Sequence, residues 1–289
     1  MNKIFKKTLC SALAITSAVA SIGLFSACET SKPRVEIQLQ FQNTKYTLDY
    51  TLYREVAPNT VAHFLALAEN EYYNELCMHD YTAARMVGGV YSYVDGGENG
   101  GLVYKDYYAT VKADTFKNFH HSVWADEEQT MPTYTLYGEF DSNNFKAVNN
   151  PLKQSLGALS TFYNEKDTEA KVVVNRADGE GISWKPYKYN SATSAFSISV
   201  DPTEKALAKV YCTFGELDAD SKDEFNALLE AIDAYIVDNY GDSGTTSDFT
   251  ERESILADEG DAYVEDGDYY LFNIPKEPIK INYVKVKKF

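Results

Sequence analysis

The chain has 289 residues and a formal net charge of −16, with 43 acidic residues against 27 basic ones. Hydrophobic residues make up 44% and charged residues 24%, a globular composition that excludes wholesale disorder and leaves room for one large domain or two small ones. The acidic balance excludes nucleic acid as a partner, because phosphate binding needs clustered Lys and Arg.

In chain order, residues 1–27 read as a secretion signal. Lys3, Lys6 and Lys7 give a positive start, and an uncharged apolar and small-residue stretch runs from Leu9 to Phe25. That stretch is short for a spanning helix. Leu24-Phe25-Ser26-Ala27-Cys28 resembles a bacterial lipobox, with Phe25 where Leu is preferred. The resemblance implies cleavage before Cys28 and lipid attached to it. It also implies a short tether over 28–34 and residence on the extracytoplasmic face of the cell membrane, where several acyl chains hold stably. Loss of the three signal lysines deepens the net charge from −16 to −19, so anionic headgroups should repel the domain's surface. Cys10 leaves with the signal, so Cys77 and Cys212 remain. One disulfide is allowed in an oxidising compartment, and two buried thiols are the favoured reading. With no CxxC and no Cys/His cluster, neither metal nor cofactor is expected.

Val35, Ile37, Leu39 and Phe41 alternate with polar residues, and so do Tyr46, Leu48, Tyr50 and Leu52 across a turn at 42–44. This predicts a β-hairpin with one buried face. Ala57-Pro58-Asn59-Thr60 opens a helix whose stripe is Val61, Phe64, Leu65 and Ala68. Residues 75–94 read as strands around Gly88-Gly89. The Gly-rich 96–101 lacks a following Lys-Ser/Thr and reads as a turn rather than a phosphate loop. Residues 102–137 are aromatic and polar without a period. Leu156 to Thr161 and Ala195 to Val200 read as short strands. Ser221-Lys222-Asp223-Glu224 has the capping-box pattern and leads an amphipathic helix through Phe225, Leu228, Leu229, Ile232 and Ile236 to about Tyr240. Residues 241–268 are acidic and Gly/Ser-rich and read as a long surface loop, and Ile279 to Lys287 reads as a last strand. The fold class is therefore mostly β, one domain over 35–289, and closure into a barrel would remove its strand edges.

Several runs now acquire meaning together. Tyr50-Thr51-Leu52-Tyr53 precedes Ala57-Pro58-Asn59-Thr60-Val61-Ala62-His63-Phe64-Leu65. Tyr72-Tyr73-Asn74, Met78-His79 and Met86-Val87-Gly88-Gly89 follow. Gly138-Glu139-Phe140, Asn150-Pro151-Leu152, Gly157-Ala158-Leu159-Ser160, Asn190 to Ile198 and Phe214-Gly215-Glu216-Leu217 complete the series. Their order and spacing resemble the cyclophilin-type peptidyl-prolyl cis-trans isomerase family. The stretch from Asn190 to Ile198, close to the family's N-S-A-T-S-Q-F-F-I, is the most specific piece. The resemblance implies a closed antiparallel eight-stranded β-barrel capped by two helices, with insertions near 102–137, 164–190 and 241–268. It implies a monomer acting on proline-containing polypeptides, or a module binding a surface protein.

Peptide-bond rotation costs ~18–20 kcal/mol through amide resonance. An isomerase needs an apolar proline pocket and a donor aimed at the prolyl nitrogen in the twisted state. The family supplies that donor with an Arg directly after its Phe-His pair. Here that position holds Asp80, read as a solvated carboxylate, beside His79, read as structural. Arg85 replaces a family Phe and is a candidate rescue donor, because a one-residue register slip would flip its face. Met86 matches the family's pocket Met. Ala195 replaces a family Gln, Phe196 is kept and Ser197 replaces a second Phe. Phe162, Leu207 and Tyr211 complete the peptide-groove candidates that the resemblance implies. Tyr104, Tyr107, Tyr108, Trp124 and Tyr163, with Trp184, Tyr187 and Tyr189, sit in or beside the insertions. They form either a recognition surface or small cores of their own.

Overall fold

The computed structural model describes residues 32–140, 143, 145, 152–163, 171–176, 181–186, 190–201, 203, 211–256 and 269–289. The signal 1–27, Cys28, Leu207, Tyr187 and Tyr189 lie outside that set. So do the side chains of Phe162 and Tyr163.

The alternating segments pair as read. β1 (Arg34–Phe41) and β2 (Thr44–Leu52) form an antiparallel hairpin in the register Val35↔Tyr50, Ile37↔Leu48, Leu39↔Tyr46. Their burial alternates residue by residue, so one face packs inward and the other meets solvent. β3 (Leu76–Tyr81), β4 (Arg85–Gly88), β9 (Leu159–Tyr163), β12 (Asn190–Ser199), β13 (Thr213–Leu217) and β16 (Ile279–Lys288) complete a ring. The order β4-β3-β16-β1-β2-β13-β9-β12 closes by a β12–β4 pairing, Phe196↔Gly88 through Ser199↔Arg85. All these pairings are antiparallel, giving a closed eight-stranded barrel.

Closure depends on two small residues. A Cβ on Gly88 would stand 2.6 Å from Met78 Sδ, inside the barrel. Gly89 has φ +96, and a Cβ there would stand 2.5 Å from the Ser194 carbonyl oxygen. At Gly89 the backbone oxygen and the positive φ leave room for glycine alone, and at Gly88 a Cβ would push the Met78 side chain aside.

Two long helices pack on the barrel. α1 (Pro58–Glu69) carries Pro at its start and places Phe64 among Tyr73, Phe196 and Phe214, with ring centroids 5.1–5.5 Å apart. α3 (Lys222–Tyr240) buries Phe225, Leu228, Ile232 and Ile236. Ser221 and Glu224 do not form the predicted capping box. Ser221 Oγ accepts from the Asp49 N–H at 2.9 Å, and Glu224 Oε1 accepts from the Thr47 N–H at 3.4 Å. β13 pairs with β2 only over Tyr50–Leu52, so the rest of that β2 edge is satisfied by the start of the helix instead.

The insertions also carry structure. β5 (Tyr91–Tyr93) and β6 (Leu102–Tyr104) form a hairpin, with the Gly-rich turn between them. α2 (Tyr107–Val111) follows, and β8 (Leu136–Tyr137) adds to β12. β7 (Val123–Trp124), β10 (Lys171–Asn175) and β11 (Ile182–Pro186) make a three-stranded sheet. The reading of 241–268 as a loop is corrected where the chain is described. α4 (Thr246–Phe249) leads into β14 (Thr250–Leu256), which pairs along its length with β15 (Tyr269–Pro275). Glu251, Arg252 and Glu253 give the segment a loop-like charge, and Ile255 is the buried one of its described side chains.

Candidate functional site

Most of the groove candidates fall on β3, β4 and β12, while Phe162 falls on β9 and Tyr211 between β12 and β13. β12 turns Phe196 and Ile198 into the barrel core and Ala195 and Ser197 to its outer face. β4 turns Met86 into the core, fully buried, and leaves Arg85 and Val87 outward. Met86 and Phe196 therefore line the barrel interior rather than an outer groove.

On β3, Met78 faces Gly88 and Asp80 faces Val87, with a register break between them. This bulge takes His79 out of alternation, so His79 and Asp80 both point outward while Tyr81 returns to the core.

That outer face is covered by the chain itself. All six residues of β3 are buried, and so are the residues of β12 from Thr193 to Ser199, unlike the alternating β1 and β2. A second apolar cluster lies over them. It joins Cys77 and Ala195 to Val90, Tyr91 and Leu102, and to Ile255, Phe272 and Ile274 of the β14–β15 hairpin. His79 is fully buried, with its ring 5.0 Å from both Tyr91 and Phe272 in edge contacts. Burial drives the His79 pKa down to about 3, so the imidazole is neutral at ordinary pH.

Asp80 is not the solvated carboxylate expected. It is only 7% exposed, and its Oδ1 accepts from the backbone N–H of Asn273 at 2.9 Å and from Asn273 Nδ2 at 3.1 Å. The sequence could not show this, because the residue that engages Asp80 lies 193 positions away. A carboxylate so engaged accepts hydrogen bonds and offers none to a prolyl nitrogen.

Arg85 sits at the start of β4 opposite Ser199. Its guanidinium donates from Nη1 to the Tyr211 hydroxyl and lies 5.5 Å from the centroid of that ring. Two candidates of separate sequence origin are thus brought together, and Tyr211 engages the rescue donor. Ser197 is fully buried, and its hydroxyl donates to the Ser160 carbonyl at 3.4 Å. Cys77 and Cys212 are both buried and unpaired as a disulfide. Burial pushes the Cys77 thiol up to about 12 and raises Cys212 further.

The aromatic insertion 102–137 packs largely on α1. Tyr107 is buried, donates to the Tyr134 carbonyl at 2.8 Å and meets His63 Nε2 at 3.3 Å. Phe119 lies 5.2 Å from the His63 ring, and burial holds that histidine's pKa near 3. Tyr104 instead joins the cluster over β3, 5.8 Å from Tyr91. Trp184 remains 43% exposed and donates to Glu127 Oε1 at 2.6 Å.

A polar centre that sequence reasoning did not single out lies at the start of α1. Glu139 accepts from the N–H groups of Asn59 and Thr60 at 3.0 and 2.8 Å and from Asn59 Nδ2 at 2.9 Å. It supplies the helix cap that Ala57 cannot. Burial raises its carboxyl pKa, and those donors work against the rise. The visible signal was Gly138-Glu139-Phe140, without any indication of its partner.

A family comparison agrees with this architecture. The family model described as cyclophilin type peptidyl-prolyl cis-trans isomerase/CLD matches residues 36–250. A cyclophilin type isomerase from Cryptosporidium parvum is similar, at 16% identity and TM-score 0.41, covering 89% of this chain and 99% of that one. The Mimivirus cyclophilin is similar at 14% identity and TM-score 0.41, covering 90% and 92%. Among curated proteins, no match is found. With the family match spanning most of a closed eight-stranded barrel, the chain belongs to the cyclophilin-type peptidyl-prolyl cis-trans isomerase family.

Proposed function

We propose that this is a cyclophilin-family lipoprotein, anchored through Cys28 outside the cytoplasmic membrane, whose barrel no longer turns over prolyl bonds of exported polypeptides at a useful rate. One observation carries the second half. The family's donor position is Asp80, a buried acceptor already engaged by Asn273. Loss of one preorganised donor costs roughly 10²–10³ in rate. Covering of the outer face by Phe272 and Ile274 removes access as well. The anchoring half is supported by Lys3, Lys6 and Lys7, the uncharged stretch after them and the small residues before Cys28.

A non-catalytic binding role is the companion reading, favoured by Trp184 and Met131, both exposed on or beside the insertion sheet. The test is isomerisation of an Ala-Pro peptide by the mature protein. The uncatalysed rate is expected. A rate typical of active family members, abolished by Arg85→Ala, would overturn the reading. Incorporation of labelled palmitate, lost in Cys28→Ser, tests the anchor separately.

A further inference from the structure

The hairpin over β3 begins where the family match ends: residues 36–250 match, and β14 starts at Thr250. Beneath it lie Asp80 and Ala195, two of the positions the family devotes to its polypeptide groove. We propose that the β14–β15 hairpin is a displaceable intramolecular ligand. The face it covers is then an interaction surface for an extended polypeptide segment carrying an aromatic residue and, two positions later, an aliphatic one. This rests on the reading of that face as the family's polypeptide face.

The contacts have the form of strand recognition. β15 pairs with β14 along one edge. Toward β3 it presents the Asn273 N–H, and the Asp80 carboxylate accepts it. The flanking side chains, Phe272 and Ile274, enter the cluster on either side of that contact. Phe272 meets the edges of His79 and Tyr91, at 5.0 and 5.7 Å. Ile274 fills the space that a side chain on Gly100 would occupy, 2.7 Å from its would-be Cβ. Main-chain anchoring with pockets for alternate side chains is how extended peptides are read.

The hairpin is also the part of this face suited to leave. Among the described residues, β14 and β15 form their own two-stranded sheet and share no ladder with the barrel. An isolated hairpin is marginal in water, so its docking depends on the side chains it buries. Its other face is exposed and apolar at Tyr269, 65% exposed, and Leu271, 52%.

The test uses the whole mature chain. Hydrogen exchange should show the amides of Thr250–Leu256 and Tyr269–Pro275 opening at least 100-fold faster than those of β1 and β16. A fluorescein-labelled peptide copying Tyr269–Pro275 should bind the Phe272→Ser/Ile274→Ser variant at least tenfold tighter than wild type. Saturating peptide should also raise the exchange of the hairpin amides in the wild-type protein, by displacing the hairpin from Asp80 and its cluster. This comparison within one protein serves if the serine variant fails to fold. Hairpin exchange at the barrel's rate, or wild-type hairpin exchange unchanged by saturating peptide, would overturn the proposal. Prolyl isomerisation by the opened variant would instead overturn the loss of turnover and leave the self-ligand standing.

Discussion

Two buried histidines make the protein acid-labile in a definite window. His63 and His79 are 2% and 0% exposed, and burial lowers both pKa values from 6.5 to about 3. Below pH 6.5 the unfolded chain takes up a proton at each site and the folded chain does not. Stability is therefore intact above pH 6.5 and falls as pH drops toward 3. At pH 5 each site costs about 2 kcal/mol by linkage, or about 4 kcal/mol together. That is a large part of a typical ~5–15 kcal/mol total. Burial also lowers His121, which adds to this loss, and raises Glu69 and Glu277, which oppose it. Asp126 and Asp248 are lowered chiefly by hydrogen bonds from Thr130 and Thr245, so they act only at lower pH. Glu139 is raised by burial and acts in the opposite sense. Urea unfolding followed by the fluorescence of Trp124 and Trp184 should show the midpoint falling steeply from pH 7.5 to 5. His63→Gln and His79→Gln should each remove a substantial part of that pH dependence, whatever they do to stability at pH 7.5. A wild-type midpoint that stays constant over this range would refute the reasoning.

Three further outcomes follow from particular contacts. Cys77 and Cys212 should resist a disulfide-exchange thiol reagent in the native protein and both react once it is unfolded, because burial holds both thiols protonated. Glu139→Ala leaves two helix N–H groups and the Asn59 amide without their acceptor, and should lower stability by about 2–3 kcal/mol, with Glu139→Gln milder. Denaturant midpoints of the two variants check this. Gly89→Ala should cost about 1–3 kcal/mol and lower Tm, since its φ of +96 and the Ser194 carbonyl leave no place for a Cβ.

Much of the barrel was legible because its signals are local. Alternation fixed the 34–52 hairpin, Pro58 and its apolar stripe fixed α1, and Phe225 through Ile236 fixed α3. The Ser221/Glu224 pattern marked the right helix start, yet its side chains serve β2, because a short motif cannot say which backbone will lack partners. The strand in 250–256 is hidden for the opposite reason: its run of charges resembles a loop when the apolar surface it rests on is out of view.

The site shows the same division. Sequence alone determined that the donor's place holds a carboxylate at Asp80, that an arginine stands five residues on, and that a glycine pair at 88 and 89 lies among the strands there. These are matters of residue type and spacing. Only the tertiary structure decided that β3 is buried on both faces, that Asp80 is held by Asn273 and that Arg85 is held by Tyr211. Those contacts join segments 126 and 193 residues apart, and burial is a property of what the folded chain lays over a residue.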